Sequence, residues 1–98
     1  MRTIKFRVWH KHHKMFKYPD LWDGSMPSNW EKHYILQQFT GLKDKNGVEV
    51  WEGDIFHVGY NHLGNMVCEM VNGQWNFARF NHRKIRVVGN IHENPELL

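Results

Sequence analysis

Residues 2–9, RTIKFRVW, alternate strictly between apolar and polar sides, with Ile4, Phe6 and Val8 facing one way and Lys5, Arg7 and Trp9 the other. Period-two alternation of β-branched and aromatic residues predicts a half-buried strand. HKHHK interrupts the alternation and MFKY restores it, so residues 1–18 read as an N-terminal β-hairpin. Residues 19–33, PDLWDGSMPSNWEKH, carry two Pro, a Gly, two Asp and two Ser. That composition predicts an irregular connection, with one helical turn near Ser28–Lys32 where Ser28 and Glu31 fit a capping box. YILQQF then opens the next strand.

The stretch FTGLKDKNGVEVWEGDI, residues 39–55, sets three glycines among bulky apolar residues. In DKNG, Asp44 and Gly47 suit the first and fourth positions of a type I turn, with a left-handed glycine and a bulge. A two-residue Asn-Gly hairpin turn is the competing geometry. VEVW alternates after it, and EGD reverses the chain at Gly53 into DIFHVGY. NHLGN and the Asn-Gly of residues 72–73 separate that strand from MVCEMV and QWNFARF. NHRK leads into IRVVGNI, and HENPELL reads as an extended tail in which Pro95 blocks further pairing. Short strands at regular spacing, punctuated by turns, predict an all-β fold. We expect a small SH3-like or OB-like barrel over residues 34–94, preceded by the hairpin (1–18) and the irregular connection (19–33), with 95–98 as tail.

Length adds one constraint. Ninety-eight residues are too few for two independent cores, so a single domain over 1–98 is expected. Five Trp, six Phe and three Tyr supply its interior. No apolar run approaches the ~20 residues of a membrane-spanning helix. The first residues, MRTIKFRVWHKHH, lack the apolar region of a secretion signal. Cys68 is the one cysteine, has no internal disulfide partner, and sits in an apolar run as a small buried hydrophobe. These features point to a reducing compartment, the cytoplasm.

Charge is unevenly placed. The net charge is +3, residues 1–17 hold six Lys/Arg and no acid, and residues 79–92 hold four and no acid. Were the two end segments adjacent, Lys5, Arg7, Trp9, Lys11 and Lys14 would join Arg83, Lys84 and Arg86 on one basic, aromatic face. Cations beside exposed rings are how single-stranded nucleic acid is held.

Three sets of residues resemble a known family: RTIKFRVW with Met15 after the hairpin, QFTGLKDKNGVEVWEGDI, and the close VVGNIHENPELL. Together they resemble the YopX family of small bacteriophage and prophage proteins, over the whole chain. The resemblance implies a β-structured phage or prophage product working in the cytoplasm of a bacterial host, and brings no catalytic residues with it. The chain departs from the family pattern at His10, His12 and His13 and in the Trp22- and Trp30-bearing connection.

Candidate chemistry is sparse. His10 and His12 share a strand face, but no Cys pair, HExxH or third ligand is placed to complete a metal site. Ser25 and Ser28 have no glycine elbow. Glu52 and Asp54 flank Gly53, where an aspartate accepts backbone N–H groups at a bend. We therefore expect no catalytic residues, no metal and no cofactor. The leading reading is a non-enzymatic accessory protein that binds a host protein and self-associates through exposed strand edges. The runner-up is a nucleic-acid-binding protein using the basic face. The third is an oligomeric nucleotide-sequestering protein with His and Trp around the base.

Overall fold

The computed structural model describes residues 4–18, 29–58, 64–80 and 84–98. Among the described residues nine strands follow one another: β1 (Phe6–His10), β2 (Met15–Lys17), β3 (Tyr34–Lys43), β4 (Glu49–Trp51), β5 (Asp54–Val58), β6 (Gly64–Val67), β7 (Met70–Val71), β8 (Gln74–Trp75) and β9 (Ile85–Asn90). No α-helix occurs among the described residues; short 3₁₀ turns lie at Trp30–Lys32, Asn76–Arg79 and Pro95–Leu97. The strands form antiparallel sheets ordered β2-β1-β3-β4, β6-β5-β9 and β7-β8. The sheet curls into a half-barrel, the mainly-β barrel architecture expected of the pattern.

The N-terminal hairpin forms, and β1 also lies along β3 from Phe6↔Gln38 to His10↔Tyr34. β3 then bends to meet β4. Its register shifts between Phe39 and Lys43, with Gly41 at φ +84°. The Thr40 hydroxyl donates to the Val50 carbonyl at 2.6 Å and accepts from the Leu42 N–H. A bulge of this kind turns a strand out of its plane, here toward the second sheet.

The DKNG turn is the type I form. Gly47 N–H donates to the Asp44 carbonyl at 3.0 Å, and Gly47 alone of the turn residues has positive φ, +78°. Asp44 Oδ1 accepts from the N–H groups of Asn46 and Val48. Its other oxygen accepts from Val87 N–H at 2.8 Å, and Lys45 N–H donates to the Ile85 carbonyl. The turn thus fastens the first sheet to β9. Asn72 and Gly73, both at positive φ, make the two-residue turn joining β7 to β8, as Asn-Gly chemistry favours.

Four expectations change. MVCEMV breaks at Cys68 and Glu69, because Cys68 pairs instead with the Gly53–Asp54 backbone. QWNFARF keeps only two strand residues before winding into a 3₁₀ turn, which places Phe77 and Phe80 on one side against Phe56, at 5.2 and 5.9 Å. Residues three apart coincide on a 3₁₀ turn, so the core selects it. The close of the chain is a 3₁₀ turn rather than an extended tail, and Pro95 occupies its first position. The turn at Trp30–Lys32 exists, but Asn29 is its capping residue and makes no side-chain bond; Ser28 lies outside the described residues.

The main core gathers Val50, Phe56, Val58, Cys68, Trp75, Phe77 and Ile85, flanked by Leu42, Met66, Phe80 and Val87. Phe56 and Phe77 meet edge to face at 85°. Truncating either to Ala would cost about 3–5 kcal/mol.

Candidate functional site

The seam between the two sheets is organised around Asp54. Gly53 turns at φ +84°, and its N–H and carbonyl bond to the backbones of Cys68 and Ile91. Asp54 Oδ2 caps the Trp51 N–H at 2.9 Å, the role its place beside a glycine suggested. Its Oδ1 accepts from Arg7 Nη2 at 2.7 Å and from Asn90 Nδ2 at 3.1 Å. Arg7 Nε donates to Gln37 Oε1 at 2.9 Å. Strands β1, β3, β5 and β9 therefore converge on one buried ion pair.

Arg7 and Trp9 are accordingly not surface residues. Lys5, Arg7 and Trp9 do share a face, but side chains of β2, β3, β4 and the C-terminal segment cover it. The Arg7 guanidinium lies 4.0 Å from the Phe16 ring centroid and 5.0 Å from that of Trp51. Trp9 packs on Phe16 at 4.9 Å and stacks on His92 at 5.3 Å, leaving it 6% exposed. Burial of the guanidinium is tolerated because a carboxylate, an amide and two ring faces replace its water. Lys5 pairs with Glu49 and sits over the Phe39 ring.

The remaining basic candidates separate. Arg86 is exposed on β9 opposite His57, whereas Arg7 is bound at the other end of the β5–β9 ladder, where Asp54 faces Asn90. Lys84 is exposed at the entry to β9, next to the docked Lys45. Lys11 is exposed at the hairpin tip, donating to the Glu31 carbonyl. Arg83 lies outside the described residues, as do Ser25 and Ser28. The single basic-aromatic face does not assemble.

Other candidates prove structural. Cys68 is fully buried, and desolvation first, then the nearby Asp54 and Glu52, pushes its thiol up to about 12. Glu52 accepts from Gln38 N–H. No cluster of three His, Cys, Asp or Glu among the described residues could hold a metal. The buried polar side chains Arg7, Gln37, Thr40, Asp44, Asp54, Asn76 and Asn90 are bonded within the fold, whereas the buried Trp75 Nε1 and His92 Nε2 have no hydrogen-bond partner among the described residues.

What the seam leaves open is a groove of about 420 Å³. Arg7, Asp54 and Asn90 line its interior, with Trp51, Val87 and Gly89; Tyr18, Val48, Glu49 and Glu93 complete the lining. Tyr18 and Val48 are about half exposed, at 53% and 49%. Asp54 is paired with Arg7 and Glu49 with Lys5, so Glu93 gives the groove its net negative charge. Sequence reasoning missed it because its walls come from five distant segments.

YopX protein is the family that matches residues 23–98. The chain belongs to the YopX family. It is similar over all of its length, and 99% of the other chain, to the crystal structure of protein EF1440 from Enterococcus faecalis, with 31% identity and a TM-score of 0.71. No curated protein matches it. Several of the residues through which the chain resembles this family hold the fold. In TGLKDKNG, Thr40 and Asp44 fix the bulge and the turn. In EGDI, Gly53 and Asp54 make the seam. In GNIHENPELL, a Cβ on Gly89 would stand 2.7 Å from Asn94 Oδ1 and 2.9 Å from Leu97 Cδ1, so the terminal turn seats on bare backbone. Asn65 Nδ2 holds that turn by donating to the Leu97 carbonyl.

Proposed function

We propose that the protein is a phage-associated, non-enzymatic binding protein that works in the host cytoplasm by docking a host protein. The observation that carries this reading is the seam groove, whose interior is satisfied by its own bonds and whose rim is partly apolar and acidic. A satisfied interior has no free base or nucleophile to offer a reaction, while an apolar rim over fixed charge suits recognition. The partner that fits presents a Lys or Arg side chain beside an apolar one. Its cation would lie against Glu93, near the Tyr18 and Trp51 rings, and so gain charge pairing and cation–π contact together.

The test is capture of the tagged protein from phage-infected cells after nuclease treatment, using wild type and Glu93→Lys in parallel. A host protein retained by wild type and lost by the variant supports the reading. Retention by both, or a turned-over small molecule in place of a protein, overturns it.

A further inference from the structure

A second surface, opposite in charge to the groove, is built where the β1–β2 hairpin tip meets the Trp30–Lys32 turn. Lys11 N–H donates to the His33 carbonyl at 2.8 Å, and Lys11 Nζ to the Glu31 carbonyl at 2.8 Å. These bonds bring Lys11, His12, His13, Lys14 and Lys17 beside Lys32 and His33. All but His33 are exposed, and none of the lysines is in an ion pair among the described residues. Glu31 is the one carboxylate on these two segments, 11–17 and 30–33, and it meets Lys11 through its backbone oxygen.

The rings are ordered. His10 and His13 stack 4.0 Å apart at 7°, His10 meets the Tyr34 ring edge-on at 4.9 Å and His12 at 6.0 Å, and His12 lies 5.4 Å from His33. His10 Nδ1 accepts the His13 N–H at 3.0 Å, which requires that nitrogen unprotonated. We infer that this tip is a binding site for the phosphate backbone of single-stranded nucleic acid, strengthened by protonation of its histidines. Four lysines supply the charge that displaces counterions, and flat imidazoles at the surface offer faces on which bases stack. An anionic membrane would ask for large apolar side chains to insert. The exposed apolar residue beside the tip among those described is Met15, so nucleic acid is the better fit.

The groups that face His10 are His12, His13 and Lys17 on the hairpin, with Tyr34 and His33 on and before β3. The histidines and Lys17 are cationic when protonated, and the Tyr34 phenol is neutral. Desolvation first, and then these cations, hold His10 below its ordinary value. A polyanion lowers that mutual repulsion and binds more tightly in acid.

Fluorescence anisotropy of a labelled oligothymidylate tests this on the whole chain. With four phosphates neutralised on a single strand, raising salt from about 50 to 200 mM weakens binding about 50-fold. Affinity at about pH 6 exceeds that at about pH 7.5 severalfold. Lys14→Glu with Lys32→Glu, checked by an unchanged unfolding midpoint, abolishes both effects, whereas Glu93→Lys in the groove leaves them intact. Absence of binding at low salt, binding that survives the two reversals, a pH-independent affinity, or preference for phosphatidylserine vesicles over the oligonucleotide would overturn the inference.

Discussion

Replacing Asp54 by Ala removes the acceptor on which four strands converge. The Arg7–Asp54 pair is 2.7 Å long and its side chains are only 5% and 6% exposed. Taking one partner from a buried pair leaves an uncompensated charge, at about 3–5 kcal/mol. The Trp51 N–H and the Asn90 amide also lose their acceptor, and an orphaned buried donor costs about 1–3 kcal/mol. The total is at least about 5 kcal/mol, comparable with the whole stability of a domain this size. Each kcal/mol moves the melting point by about 4–8 °C, so a fall of about 20 °C or more is expected. Asp54→Asn keeps one oxygen and the shape, and should cost about 3 kcal/mol. Urea unfolding of Arg7→Met, Asp54→Asn and the double variant measures the coupling, since the double variant strands no charge and should cost less than the summed single changes. A loss below about 1 kcal/mol for Asp54→Ala, the range of an exposed pair, would refute the reasoning.

Three further outcomes follow from the same geometry. Gly53→Ala should cost more than about 2 kcal/mol, because its left-handed backbone disfavours any Cβ and a Cβ would lie 2.2 Å from Gln37 Nε2. Gly47→Ala, with open space around it, should cost only about 1 kcal/mol by thermal melting; equal losses would contradict this. Desolvation lowers His10 and His92, reinforced by His13 and by Arg7 respectively, so the unfolded chain binds more protons than the folded one below 6.5. Stability should then be full above about pH 6.5 and be lost as pH falls through the lowered folded values; a urea midpoint at about pH 5.5 equal to that at about pH 7.5 would contradict it. Finally, Cys68 should resist iodoacetamide in the native state and react once urea unfolds the chain; rapid native labelling would show that it is not sealed in the core.

The legible parts of the sequence were those decided locally. Turn chemistry at Asp44–Gly47 and Asn72–Gly73 depends on the residues of the turn themselves, and alternation correctly placed Lys5, Arg7 and Trp9 on one face. What covers that face comes from Phe16, Phe39, Trp51 and His92, as many as 83 positions from Trp9, and alternation carries no information about it. Arg7 therefore read as a surface cation. Pro95 reads as blocking further pairing in an extended tail, yet its fixed φ suits the first residue of a 3₁₀ turn equally well. Phe77 and Phe80 carried a usable signal in their three-residue spacing, overridden by the alternation of Trp75 and Phe77. The groove was invisible because Tyr18, Glu49 and Glu93 share no local pattern.

That the buried Arg7–Asp54 network holds the fold while the rim of the groove meets the partner is tested most directly by a photo-crosslinking amino acid placed at one site at a time, in cells making the protein during phage infection. Val48 at the groove and Met70 on β7 are matched positions, 49% and 48% exposed. The account predicts a discrete host-protein adduct from position 48 and none from position 70. Adducts from position 70 alone, or equally from both, would contradict it.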